Sequence, residues 1–364
     1  MSSQNGISRT GLHCCFACHL SADGLLWCGS SLRNTSATAA LSLPLLRVIP
    51  MVSLLRVALA FLLLASFAGS GCSLRRYALN KAADALAQSG TTFSSDDDPE
   101  LIKAAAPFSL KVMESLLAEN PRHQGLLVAA ASGFTQYAYA FVQEEGDEIE
   151  PTDLAAADVL RTRARRLYLR AQRYGLRGLE VKHPGFEKNL LTNPKAAVGI
   201  ATKSDVALLY WTAAAWGSAI GLSKDNPQML GQIPAMEALI DRALELDESY
   251  GNGSIHTFLI SYEMIRPGAV EEQVSRARKH FERAMELSKG TDASPLVALA
   301  EAVTIQTQEA KEFDSLLNRA LAIDPDANPD NRLENLVMQR RARWLLSRKA
   351  ELFLLEEPAS VPSE

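Results

Sequence analysis

From residue 73 onward, apolar residues recur at i, i+3, i+4 and i+7, and no stretch sustains an alternation of period two. Alanine, leucine, arginine and glutamate fill the pattern, all good helix formers. The pattern predicts an all-α chain, an irregular stack of about a dozen helices. Their approximate spans are 73–89, 98–119, 122–142, 152–179, 194–202, 204–222, 234–247, 254–265, 269–288, 294–306, 308–323 and 329–354. The breaks have physical causes. Asn120-Pro121 stops one helix, because the residue before proline leaves the α region. Gly251-Asn252-Gly253 supplies turn backbone, and Asp292, Ser294 and Asp324 are turn or N-cap residues. Residues 94–98 and 146–152 read as acidic polar loops, and residues 357–364 as a frayed tail.

The later helices repeat one another. Met236, Ile240 and Ala243 are spaced +4 and +3, as are Ala277, Phe281 and Ala284, and Phe313, Leu317 and Ala320. Their ends match too, with Arg-Ala-Leu-Glu-Leu-Asp at 242–247 answered at 283–288 and 319–324. Tetratricopeptide repeats place small and apolar residues at this spacing so that neighbouring helices approach closely. The alanines recur at irregular intervals, and any amphipathic helix in a bundle shows the same spacing.

Two segments, 125–142 and 206–222, contain no charged residue. A helix apolar on every face belongs at the centre of a large helical protein, and both are at or below the length needed to span a bilayer. They concentrate aromatic rings, which mainly fill a core. Phe134, Tyr137, Tyr210, Trp211 and Trp216, with His256 and Tyr262 from a later helix, are the candidate lining of a cavity or pore for a partly apolar ligand.

Ahead of the helices stands an export signal. Arg56 supplies the positive charge, residues 57–67 the apolar run, and Gly69-Ser70-Gly71 the small residues before a cut at Cys72. The apolar run is roughly 11 residues, short of the roughly 20 that cross a membrane. A cysteine at that junction is the acylation site of a bacterial lipoprotein, and two or three acyl chains hold a protein firmly. The expected organisation is therefore a non-native extension over 1–50, a signal peptide over 51–71, and a helical domain over 72–356. The extension carries Cys15-Phe-Ala-Cys-His19, the spacing of a c-type haem attachment, in a stretch with no periodic pattern to build a pocket. No metal or cofactor is expected.

The whole chain carries a net charge of −5, and residues 72–364 are more acidic, since Arg9, Arg33, Arg47 and Arg56 precede them against Asp23. That balance disfavours nucleic acid and peripheral binding to anionic lipid. Against it stand two basic runs, 161–170 and 340–349, read as solvated faces with acidic partners or as a docking surface. The four histidines after Cys72 fit no metal spacing, and neither a nucleophile elbow nor a phosphate loop occurs. No catalytic residue is assigned. Paired carboxylates of the glycosidase kind stay open, because separation in space is not readable from sequence.

Several stretches resemble one family. They are Tyr168-Leu-Arg-Ala-Gln-Arg-Tyr-Gly-Leu-Arg-Gly-Leu179 with His183-Pro-Gly-Phe186; Tyr210-Trp-Thr-Ala-Ala-Ala-Trp-Gly217; Arg242-Ala-Leu-Glu-Leu-Asp-Glu-Ser-Tyr-Gly-Asn-Gly253; Phe258-Leu-Ile-Ser-Tyr-Glu263; and Asn331-Arg-Leu-Glu-Asn-Leu336. Together they look like the T component associated with TRAP transporters (TatT). The resemblance implies a periplasmic lipoprotein of tetratricopeptide-like helices, tethered to the outer rather than the inner membrane. It also implies a TRAP-type extracytoplasmic solute-binding protein as partner, a pore or cleft through the stack for a small apolar ligand, and a homotrimer. The rival expectations are a tetratricopeptide scaffold for envelope assembly with no ligand route, and a helical-barrel hydrolase with two facing carboxylates.

Overall fold

The computed structural model describes residues 90–354 without a break, most of 75–88, and a few positions around Arg56. The extension over 1–50, most of the predicted signal peptide, Cys72 and the tail beyond Leu354 lie outside the described residues. Within them the chain is all helical, with no strand.

Twelve helices carry the architecture: α1 (Pro99–Glu119), α2 (Gln124–Ala138), α3 (Glu144–Ile149), α4 (Leu154–Lys182), α5 (Phe186–Thr192), α6 (Val206–Gly221), α7 (Ile233–Leu246), α8 (Ser254–Glu263), α9 (Val270–Leu287), α10 (Ser294–Leu299), α11 (Ala310–Leu321) and α12 (Arg332–Ser347). Side chains set their starts. Asp98 accepts from the amides of Glu100 and Leu101 at 3.0 Å, and Asp153 from that of Ala156 at 2.9 Å. The His123 Nδ1 takes the Leu126 amide at 3.1 Å, so the first turn of α2 is closed by a ring nitrogen.

The two charge-free segments become α2 and α6, and they do sit innermost. Leu126, Leu127, Ala130, Ala131 and Ala138 of α2 have no exposed surface, nor do Leu209, Ala213, Ala215 and Ala219 of α6. α4 packs on both. The α4–α6 crossing is so close that a Cβ at Gly175 would lie 2.0 Å from Thr212 Oγ1, which explains why a glycine interrupts a long arginine- and leucine-rich helix. By length and composition one described helix, Gln124–Ile149, could cross a membrane. Here it is the inner helix of the bundle, covered by α1, α4 and α6.

The second half is a stack of helix pairs. α8 packs on α9, α10 on α11 and α11 on α12. One pair of helices keeps a constant offset along its length. Ser294 on α10 meets Glu334 on α12, and seven residues further on in both helices Glu301 meets Arg341, each pair 40 residues apart in the chain. Two helices that keep one offset over seven residues run parallel in register. The repeated alanines Ala243, Ala284 and Ala320 are fully buried. The loop at 251–253 shows why such positions stay small: Gly253 sits at φ +102°, with its Cα facing Ala284, and a Cβ there would lie 3.2 Å from the Ala284 backbone.

Three local expectations are corrected. Residues 146–149, read as loop, continue the helix as α3, because Asp147 and Glu148 are held by Arg161 and Arg340. Residues 186–192 form a helix not anticipated from the pattern, begun by the left-handed Gly185 at φ +87°. The last predicted helix is broken at Arg348, ending at Ser347 and resuming as a short helix over Lys349–Leu352. Two helices also contain a π-helical turn, Tyr139–Gln143 after α2 and Ala300–Thr304 after α10, each adding one residue to the regular ladder.

Candidate functional site

α12 presents Glu334, Val337 and Arg341 on one face, two helical turns from end to end. Several polar groups on this helix serve the backbone around it. Asn335 is fully buried, accepting from the Ala293 amide at 2.9 Å and donating to the Thr291 carbonyl at 3.0 Å. Gln339 donates to the carbonyls of Ala320 and Ile323 at the end of α11. Glu334 and Arg341 have different duties, and each centres a polar cluster.

At the first cluster two acids converge on one serine. The Ser294 amide donates to Asp292 Oδ1 at 2.8 Å and its hydroxyl to Glu334 Oε1 at 2.6 Å. Burial raises the pKa of Asp292. Glu334 is raised to about 7, by desolvation first and the Asp292 charge second. Yet Glu334 keeps a large accessible surface. Water at that surface moderates the shift. Tyr210 of α6 faces the same acids. It meets Trp211 at 4.9 Å edge-on and Tyr250 at 5.4 Å, and the Trp211 indole N–H donates to the Tyr250 hydroxyl at 3.1 Å. On α2, Ser132, Gln136 and Tyr139 follow one another along the face away from Phe134, and Gln136 is exposed in mid-helix. The Tyr210, Trp211 and Tyr250 rings and the Asp292–Ser294–Glu334 cluster are the candidate ligand site.

The second cluster lies two turns along α12. Arg341 is buried and paired with Glu301 from one π-turn and with Asp147 of α3 at 3.2 Å. Its guanidinium also covers the Trp344 ring at 4.3 Å. Beside it Glu144, which follows the other π-turn, is 1% exposed, and neither carboxylate oxygen has a hydrogen-bond partner. Burial pushes Glu144 up to about 8, against the attraction of Arg341 and with the repulsion of Glu301. The carboxyl is therefore protonated at neutral pH, the inexpensive form for a buried acid.

The seven residues singled out from sequence do not share one cavity. Tyr210 and Trp211 belong to one aromatic cluster with Tyr250. Phe134 and Tyr137 face the other way, toward α4, where Phe134 stacks on Tyr174 at 6.0 Å beneath Arg170, and Tyr137 lies beneath Arg163. Trp216 is 2% exposed and donates to Gln232 Oε1 at 2.9 Å. It closes the floor of a separate cleft of about 240 Å³ bordered by Gln172, Glu187, Leu190 and Met229. His256 pairs with His280, Nδ1 to Nδ1, at 2.8 Å; burial lowers both pKa values, His280 to about 4. The His256 Nε2 lies 3.4 Å from Glu248 but outside hydrogen-bond geometry. Tyr262 donates to Glu237 at 3.0 Å and stacks on Phe258.

Asp292, Glu334, Tyr250, Glu144 and Arg341 were not singled out from the sequence. Glu144 did leave a trace, as the first charge after a long charge-free run. The two acids that a hydrolase would need exist as Asp292 and Glu334. Glycosidic cleavage requires its carboxyls to face a bond held between them, and here Ser294 occupies that place with a hydrogen bond to each. Among the described residues no group of three or more metal-ligating side chains is assembled.

Comparison with known proteins places this arrangement. The family model described as TRAP transporter T-component matches residues 95–353. An uncharacterized protein of Treponema pallidum (strain Nichols) is 30% identical over 303 residues, covering 78% of this chain and 94% of the relative.

Proposed function

The chain belongs to the TRAP transporter T-component family, and from that premise we propose that it is a membrane-tethered periplasmic lipoprotein, acylated at Cys72, that binds the transporter's solute-binding protein and exchanges a small, partly apolar ligand with it. The ligand half of this reading puts a recess at Tyr210, Trp211, Tyr250 and Glu334, supported by the aromatic cluster and by the acids that bear on the Tyr210 hydroxyl. Aromatic walls favour an apolar body, and a carboxyl that titrates near neutrality favours a group able to donate a hydrogen bond. The sequence from Arg56 to Cys72 supports the tether and the compartment. Transport-component membership and the serine-bridged acid pair both favour a binding role over bond cleavage. A trimer would multiply the docking sites without changing the recess.

Two measurements test the proposal separately. Chain immobilised on a support should retain the solute-binding protein encoded beside it, and repeated failure to do so would remove the partner. For the ligand, Trp211→Ala should weaken uptake of a carried apolar probe by about tenfold, the loss of one aromatic wall. Unchanged uptake would move the ligand away from this recess.

A further inference from the structure

The strongest unassigned feature is on α4. Between Asp158 and Glu180 the helix holds seven arginines and no acid. Arg161 turns inward to Asp147 and Glu150. Arg163, Arg166, Arg170, Arg173 and Arg177 follow the +3, +4 rhythm, which places them within about 80° of arc and along about 21 Å of helix. Arg163, Arg166 and Arg173 are exposed. Arg166 and Arg173 make no ion pair or hydrogen bond among the described residues. Two of the others are propped by aromatic rings of α2: Arg163 over Tyr137 and Arg170 over Phe134. These rings hold guanidinium groups outward at a fixed height. The acid that α1 contributes to this face is Glu114, and it is already engaged by Lys111, Tyr174 and Arg170. Glu180, at the edge, is spent on the Gly185 and Glu187 amides. Arg170 is answered by Glu114, and the other arginines of the stripe have no acidic partner among the described residues, on a chain that is negative overall.

Its position indicates what covers it. Arg177, at one end of the stripe, donates to the carbonyls of Pro121 and Leu117. At that same α1–α2 junction the N-terminal helical segment is fixed, by Asn120 to Asn80, His123 to Asp84 and Arg75 to Glu119. Cys72 is three residues before Arg75, so chain length keeps it within about 11 Å of that residue. We propose that the arginine face of α4 is a docking surface for anionic lipid headgroups, lying on the membrane beside the point of tethering. Acyl chains hold the domain near the bilayer; the stripe fixes which side faces it, leaving the helices from α8 onward free for protein partners. Net charge, averaged over the surface, argues against lipid contact, but the local field at α4 has the opposite sign.

This inference uses the tether reading only for orientation, and its test needs neither acylation nor the solute-binding protein. Full chain carrying Cys72→Ser is mixed with vesicles of phosphatidylcholine, with and without phosphatidylglycerol, and the sedimented fraction is measured. The difference between the vesicle types is the readout, so that insertion of the apolar run at 57–67, common to both, cancels. The chain should prefer the anionic vesicles and lose that preference as salt is raised. Arg166→Gln with Arg173→Gln should lower the partition roughly 25-fold, at about fivefold for each arginine near the surface. Adding Arg163→Gln should bring the loss to roughly a hundredfold. Lys279→Gln, a control on α9, should change nothing. Circular dichroism checks that each variant is folded. Equal binding to both vesicle types, or full anionic preference in the double variant, overturns the proposal. So does an arginine-dependent hold on the solute-binding protein with no vesicle preference, which would assign the face to an acidic protein.

Discussion

Two basic runs look alike in the sequence and end in opposite situations. In the run at 340–349, Arg340 lies 2.6 Å from Glu148, Arg341 reaches Asp147 and Glu301, Arg348 meets Glu351 at 2.8 Å and Lys349 meets Asp314. These bonds join α12 to α3, to the π-turn after α10, and to α11. On α4 the inward Arg161 is closed in the same way, while Arg166 and Arg173 have no partner among the described residues. A charge run is therefore two different things depending on what packs against it. On α12 all of the run but the exposed Arg343 is engaged and fastens the C-terminal pairs to the first half; on α4 Arg166 and Arg173 are left available to a surface outside the chain.

The largest test of this contrast is Arg341→Ala. Losing the guanidinium leaves Asp147 and Glu301 without it and removes the charge that favours an ionised Glu144. Glu301 is partly exposed, which moderates the penalty, so a loss of about 3 kcal/mol is expected from a urea midpoint. A loss below about 0.5 kcal/mol, the level of an ordinary surface change, would break the contrast from the closed side.

How much of this was legible follows from range. The helices were readable because their causes are local: period, caps and the proline after Asn120. The inner placement of α2 and α6 followed from their lack of charge. The grouping of Asp292 and Glu334 near Tyr210 was not readable, since the three come from distant segments and nothing in the spacing of any one marks the others. Phe134 and Tyr137 illustrate the same limit. Their aromatic character was visible, but not that they face α4 and support arginines rather than line the interior. The continuation of the helix through 146–149 was hidden for the same reason, because Arg340, which holds Glu148, lies 192 residues away.

The next test concerns the acid beside the closed run. The Glu144 carboxyl titrates at about 8 in the folded chain and near 4.5 when unfolded. Between those values the folded state binds the extra proton, so stability falls as pH rises from about 4.5 to about 8 and is level above that. Glu144→Gln should be nearly neutral at pH 5, where the carboxyl is protonated, and stabilising at pH 9, by about 1.4 kcal/mol for each unit that burial raises the carboxyl. Urea unfolding across that range checks the slope. A variant that is destabilised equally at both ends would mean that the carboxylate is needed in its charged form.

A smaller effect is expected where the ion pairs are closed but half exposed. Arg278 on α9 grips Glu312 at 2.6 Å and Glu309 at 2.8 Å, joining α9 to the start of α11. Solvent screens such a pair, so Arg278→Ala should cost about 1 kcal/mol, less at high salt. An effect as large as that of Arg341→Ala would erase the distinction between fastening at depth and fastening at the rim.

The smallest expected change decides the open side. Arg166→Gln with Arg173→Gln removes two charges that no described residue answers, from positions whose neighbours on the stripe are also positive. Relief of that repulsion offsets whatever packing the arginine stems supply, and the net change in stability should stay within about 0.5 kcal/mol. The same double variant loses its anionic vesicle preference if the face is built for headgroups. Stability unchanged while partition falls would separate a docking surface from a structural one. A loss of more than about 1 kcal/mol would instead mean that these arginines support the fold, making α4 and α12 alike after all.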